Sequence, residues 1–462
     1  MTPELTPPLA PDDLLHTLDT AVQSKSADDI EIAVLARAGQ YTRFAGDVIH
    51  QPQDITEVRY LVRAVVDGHA YRTATTVASH LDTAVRTAAA GARQRAKTVG
   101  RSGHTTVSGP QPDGPTGRLW FDDVTAFDAA ARVTAARSAI AAAGAVGGEA
   151  AGMLGRALTQ QAVATSRGLL RATVTGEASG SLTVSVADGT AHWIDVGRSA
   201  DRIQVADSVA WTVAQAVASQ RRQELPPGTY EVVLGAEAVG ELLHFLPALG
   251  FSGELAAAGL GLTATHRGEQ VAAELVQVAD DAGADVGLPI GFDVEGVTKR
   301  RVVFFEHGRV GDPVTDRAIA ASLGTESTGH AHIAREEVPA PAAANIVMTP
   351  GESTEAELIA GVERGVYLQR FWYTRLADRV AGTITGVTRD ACFLIENGKL
   401  TTPLAGMRFT QSVPGCLAGV LAIGRETKSQ PVMNVWNGAT SAPPVRVAAF
   451  RLGAAPIEGG NR

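Results

Sequence analysis

The sequence predicts an α+β fold, with an N-terminal α/β domain followed by a β-rich C-terminal domain. Three observations carry that reading. At 462 residues the chain exceeds the roughly 250–300 residues that one hydrophobic core sustains, so at least two domains are expected. Apolar residues make up 45% of it and charged residues 19%, the balance of a folded globular protein. The apolar spacing mixes helical and strand periods before Leu225-Pro226-Pro227-Gly228 and is mostly strand-and-turn after it. The boundary is placed at that break. It gives domains over 11–225 and 226–462, with a possible subdomain break near 100–117 inside the first.

The elements follow in order. Residues 1–10 are rich in proline and are expected to be a disordered tail. Leu14, Leu15, Leu18 and Val22 share one face of a helix over 11–26. Strand-like runs come next at 31–37, 41–45, 58–66 and 69–76. Asp67-Gly68 separates the last two and is a hairpin signal, because both residue types tolerate the left-handed backbone of a tight turn. A helix is expected over 78–96. A second block repeats the mixture: a helix over 124–143, strands over 158–166, 169–177, 181–187 and 191–195, and a helix over 201–220. Gly144-Ala145-Val146-Gly147-Gly148 reads as a flexible turn after the first of these helices.

Beyond the break, a strand over 230–234 leads to a helix over 236–249. Strands are then expected at 302–306, 345–348, 392–396, 399–403, 432–435 and 445–450. Asn397-Gly398 repeats the hairpin signal. Thr354-Glu355-Ala356-Glu357 matches a capping box, in which the hydroxyl takes one orphan N–H and the Glu reaches back to another. Leu358, Ile359, Val362 and Val366 would form the apolar stripe of the helix it opens, over 357–367.

Composition excludes several function classes. A formal net charge of -9 argues against a nucleic-acid scaffold, which needs a basic face. Two cysteines, Cys392 and Cys416, do not make a disulfide framework, and a cytoplasmic location is expected. Met1-Thr2-Pro3-Glu4 has no basic or apolar segment of a secretory signal. No apolar run reaches the length of a membrane span. No phosphate-binding loop, Gly-x-Ser-x-Gly elbow or Cys-x-x-Cys pair occurs.

Two histidine-bearing segments remain. His330-Ala331-His332 could place two imidazoles on one side of a strand, but its polar surroundings, Ser327-Thr328-Gly329, read as a surface loop. Glu306-His307 offers another acid and imidazole. The other segment is Leu242-Leu243-His244-Phe245-Leu246-Pro247-Ala248-Leu249. A zinc peptidase needs two imidazoles on one metal and a Glu to activate its water. Here a single His is followed by Phe, and Pro247 interrupts the helix.

At this point a family resemblance emerges. Glu231-Val232-Val233-Leu234-Gly235-Ala236 leading to Leu242-Leu243-His244 resembles the opening of the C-terminal domain of TldD/TldE (PmbA) proteins. Gly287-Leu288-Pro289-Ile290-Gly291-Phe292-Asp293, Glu306-His307-Gly308, Ser327-Thr328-Gly329-His330, Asn345-Ile346-Val347-Met348 with Pro350-Gly351, and Ile395-Glu396-Asn397-Gly398 are similar to later motifs of that family, in the same order. Val65-Val66-Asp67-Gly68-His69-Ala70 resembles its first domain more loosely.

The resemblance implies a subunit of a heterodimeric metallopeptidase that trims or degrades peptides. In the catalytic subunit of that family, zinc is held by two histidines and a cysteine, with a Glu as general base. The matching positions here are His244, Phe245, Leu249 and Ile423, so one imidazole remains and three positions are apolar. The resemblance therefore implies a non-catalytic TldE/PmbA-like chain with no metal of its own, zinc being expected in a TldD-type partner subunit. The expected partners are that subunit and a peptide substrate, with no nucleic acid and no membrane. Two alternatives are an active metal-dependent hydrolase with a relocated site at His307, His330, His332 or Glu306, and a standalone peptide-binding or assembly protein.

Overall fold

A computed structural model of the protein describes residues 5–99, 105–115, 119–333, 339–431 and 438–453. The chain begins with helix α1 (Pro11–Val22) and the strands β1 (Asp29–Gly46), β2 (Val48–Val66) and β3 (His69–Thr75). Helices α2 (Leu81–Val99), α3 (Asp122–Ala126) and α4 (Ala129–Gly144) follow. Strands β4 (Glu149–Thr165), β5 (Leu170–Val186) and β6 (Gly189–Gly197) and helix α5 (Val205–Ala218) complete the N-terminal half. The six strands form one antiparallel sheet in the order β3-β2-β1-β4-β5-β6.

The centre of β1 is buried on both faces. Ile30, Ile32 and Val34 pack with Leu14, Leu18 and Val22 of α1 and Leu81 and Val85 of α2. The alternate residues Ala33 and Leu35 meet Phe292, Val294, Ala331 and Ile333 of the C-terminal half. A two-residue side-chain period thus seats helices on one side of the sheet and the second domain on the other.

The C-terminal half contains two sheets. One has six strands in the order Arg309–Val310, Val302–Glu306, Val278–Asp280, Asn345–Met348, Ala439–Ala442 and Lys428–Pro431. The other starts with β7 (Gly228–Leu234). It runs Arg364–Asp378, β7, Val445–Leu452, Arg408–Ser412, Thr383–Glu396, and the last pairs back onto the first. The strands close into a small barrel, which leaves those five without a free edge. Phe371, Phe409 and Phe450 fill it, with ring centroids 4.4–5.6 Å apart. Helix α6 (Ala236–His244) packs against the strand Arg364–Asp378 and against the strands Ala439–Ala442 and Lys428–Pro431 of the other sheet.

Several boundaries differ from expectation. From Leu5 the chain is packed, not a loose tail: Leu5 lies in the core with Phe44 and Leu154, and Leu9 exchanges hydrogen bonds with the Gln160 amide. Residues 1–4 lie outside the described residues, as do 100–104 and 116–118 of the expected break and the expected strand 432–435. The runs 31–37 and 41–45 join into β1, because Arg37 and Gln40 find buried partners in Glu177 and Arg156 instead of breaking the strand. The helix opened by Thr354 covers only Glu355–Ala360. Val366 belongs to the strand Arg364–Asp378, where pairing with Val232 and Leu394 overrides its helical spacing.

Candidate functional site

Gly235 caps α6, and Gly240 lets the helix approach Gln430, whose side chain lies where a Cβ would stand. Leu242 and Leu243 face the core, which leaves His244 as the last helical residue, half-buried. Burial pushes its imidazole pKa down, so the ring is neutral at neutral pH. Phe245 stands edge-on to it, centroids 5.6 Å apart and planes at 80°. The helix stops there, and Pro247–Leu249 forms a 3₁₀ turn, short of the helix expected through 249. Leu249 and Ile423 are 1% and 7% exposed and belong to the same core as Leu246 and Phe251.

This set does not fit zinc. One imidazole is available, and Phe245, Leu249 and Ile423 offer no lone pair to a metal. Among the described residues, no group of three or more His, Cys, Asp or Glu side chains is placed to hold a metal ion. What does remain beside His244 is a cavity of about 310 Å³. Ser252, Pro341, Ala343, Ile346 and Arg379 are among its lining residues.

The pair His330 and His332 is not on a surface loop, as its polar sequence suggests; both are buried. His330 Nε2 lies 3.1 Å from Asp280 Oδ1, and its Nδ1 lies 2.9 Å from the Thr328 carbonyl oxygen. Asp280 Oδ2 also accepts the backbone N–H groups of Ala344 and Asn345, at 2.6 and 3.1 Å. Burial pushes the Asp280 carboxyl up, but His330, Lys299 and those N–H groups outweigh it and hold the pKa well below the carboxylate range. Burial lowers the Lys299 ammonium, opposed by Asp280 and Asp293. Burial, then Lys299 and His330, depress His332.

The cluster continues across the domain interface. Arg63 of β2 reaches both Glu31 and Glu295 at 3.1 Å and donates to the Thr106 carbonyl at 2.8 Å. Arg317 donates to that same carbonyl at 2.7 Å. The structure separates His307 and Glu306 from all this. They form the turn at one end of the strand Val302–Glu306, whereas Asp280 pairs with Val302 at its other end.

A second polar site escaped the sequence reading. His192 Nδ1 of β6 lies 2.8 Å from Glu237 in the first turn of α6. A cleft of about 180 Å³ beside it is lined by Trp211, Glu237, Glu355, Tyr367, Glu426 and Lys428. The Lys428 ammonium lies 4.9 Å from the Trp211 ring centroid. Nearby Asp195 is pushed up to about 6 by burial, against the Ser429 and Val196 N–H groups. These residues come from six separate elements, so no local spacing announces them.

Residues 227–454 match the PmbA/TldA metallopeptidase C-terminal domain family. A TldD homologue described as a metalloprotease in Haemophilus influenzae is 31% identical over 198 residues, which is 42% of this chain and 40% of that protein. The counterpart in Buchnera aphidicola from Acyrthosiphon pisum is 28% identical over 217 residues, 46% of this chain and 44% of that protein. This chain therefore spans less than half the length of those relatives in the matched region. The fold extends further: the crystal structure of TldE from Thermococcus kodakarensis superimposes with a TM-score of 0.83 at 20% identity, covering 96% of this chain and 99% of that one. The sequence match over the C-terminal half and the fold shared along nearly the whole chain agree, and the chain belongs to the TldD/TldE (PmbA) family.

Proposed function

We propose that this chain is a non-catalytic, TldE/PmbA-like subunit that completes a TldD-type metallopeptidase acting on peptides. The observation that carries the reading is the chemistry of four positions. His244 stays half-buried with a neutral ring, while Phe245, Leu249 and Ile423 turn apolar side chains into one continuous core. A pocket filled in this way has no group to bind a metal or to take a proton from water. A cytoplasmic setting suits the two free thiols, Cys392 and Cys416, both buried and both raised to about 12 by desolvation.

The test is co-expression with a chain from the same genome that carries His-Glu-x-x-x-His, followed by size exclusion and peptidase assay. The expected result is one complex that cleaves peptides, with one zinc per complex held by the partner. Absence of any complex overturns the reading. Stoichiometric zinc in this chain alone would favour a relocated centre at His307, His330, His332 or Glu306.

A further inference from the structure

We propose that the cavity beside His244 binds the terminal carboxylate of a peptide, with Arg379, His244 and Ser252 as its donors. The idea rests on the reading of this chain as part of a peptide-processing complex, and it gives the former metal position a present use.

The cavity, about 310 Å³, opens where four pieces of chain converge. They are the end of α6 with its 3₁₀ turn, the short helix Gly253–Ala257, the segment 341–346, and the turn after Asp378. Three polar groups on its wall are unused. The His244 ring, the Arg379 guanidinium and the Ser252 hydroxyl make no hydrogen bond or ion pair to any described residue. This contrasts with His330 and His192, each of which has a carboxylate within 3.1 Å. Polar side chains lining a concavity without internal partners are the groups a ligand satisfies.

Their chemistry is selective. A guanidinium presents a planar fork of N–H groups that matches a carboxylate. A neutral imidazole and a hydroxyl each add one donor. The remaining wall is apolar, with Leu255, Pro341, Ala343 and Ile346, and suits the side chain of a terminal residue. Glu254 is the acid on the lining. It is exposed, so water and salt screen its repulsion, and it disfavours a bulky polyanion more than a single carboxylate.

Fluorescence anisotropy on the full-length chain, with dye-labelled peptides ending in an apolar residue, tests this directly. The free-acid peptide should bind about tenfold tighter than its C-terminal amide, the scale of one charge-assisted contact pair. Arg379→Gln should remove most of that preference. Because Arg379 is exposed, the variant should keep the wild-type melting temperature. His244→Gln should weaken the free acid about threefold to fivefold, as for loss of one neutral donor. Two further probes identify the source of the carboxylate. Competition by acetate shows that the carboxylate alone is read. Equal binding by an amidated peptide ending in Glu shows that a side-chain carboxylate serves as well.

Equal affinity for acid and amide overturns the proposal, as does an Arg379→Gln variant that binds both as the wild type does. The measurement uses this chain alone. A chain that prefers the free acid yet forms no complex with a His-Glu-x-x-x-His partner would sink the functional reading and leave the pocket standing. A chain that forms the complex but ignores the C-terminus would do the reverse.

Discussion

Two interior regions of the C-terminal domain handle polar chemistry in opposite ways. Around Leu249 and Ile423, positions that the family uses for metal ligation have become part of a hydrophobic core. Around Asp280, four ionisable side chains (Asp280, Lys299, His330 and His332) are kept almost wholly from water. The second region looks more like an active site, because buried, shifted groups gather at such places. Its groups are nevertheless occupied with one another: the Asp280 carboxylate alone receives two backbone N–H groups and contacts His330. The first region looks inert, yet it borders the unused donors His244 and Arg379. Mutual satisfaction, more than burial or a displaced pKa, separates a scaffold from a site.

Substitutions can break or sharpen that contrast. The largest effect is expected from Asp280→Ala, which strands the Lys299 ammonium and two backbone N–H groups in the interior. Breaking such a buried set costs about 3–5 kcal/mol, read as a shift in the urea midpoint at constant slope. A loss below about 1 kcal/mol would mean that the cluster is not structural. Leu249→Ala should cost about 3 kcal/mol through the cavity it leaves in the core, whereas a polar remnant still serving a metal would tolerate the truncation.

The cleft near Glu237 lies between these extremes and has a pH signature. Asp195 moves from an ordinary 3.8 to about 6, so the folded state holds its proton more firmly than the unfolded chain. That contribution is fully present below the unfolded value and is lost as pH rises through the folded one. Between pH 4 and 6 the wild type should therefore lose about 2 kcal/mol relative to Asp195→Asn, after a discount for its partial exposure. Chemical denaturation of both proteins across that window checks it, and parallel curves would refute it. The smallest effect is expected from Arg300→Ala. It removes an exposed pair with Glu326 and should change stability by no more than about 0.5 kcal/mol.

Local chemistry made part of this architecture legible in the sequence. Asp67-Gly68 and Asn397-Gly398 announce their hairpins because φ must be positive at all four residues, as it is, from 48° to 76°. The Thr354–Glu357 box is formed from both sides. The zinc-site positions could be located because the surrounding motifs keep their order. Less legible was what tertiary partners decide. β1 reads as two short strands because Gln40 is polar, and only Arg156 on the neighbouring strand explains its burial. His330 reads as a loop residue because its partner Asp280 lies 50 positions earlier. The strand Arg364–Asp378 went unread because Val362 and Val366 suit a helix until β7 arrives beside them.

The barrel carries a consequence for the order of assembly during synthesis. Its first strand, β7, pairs on one side with the strand Arg364–Asp378 and on the other with Val445–Leu452. More than 200 residues separate the two partners Val232 and Val447. The last strand to leave the ribosome is thus an interior stave, and Phe450 cannot meet Phe371 and Phe409 before it arrives. The N-terminal sheet has its long strands within a shorter stretch and can close earlier. Until Leu452 emerges, β7 waits with one side unpaired, so this half of the nascent chain is the part most in need of shelter from aggregation.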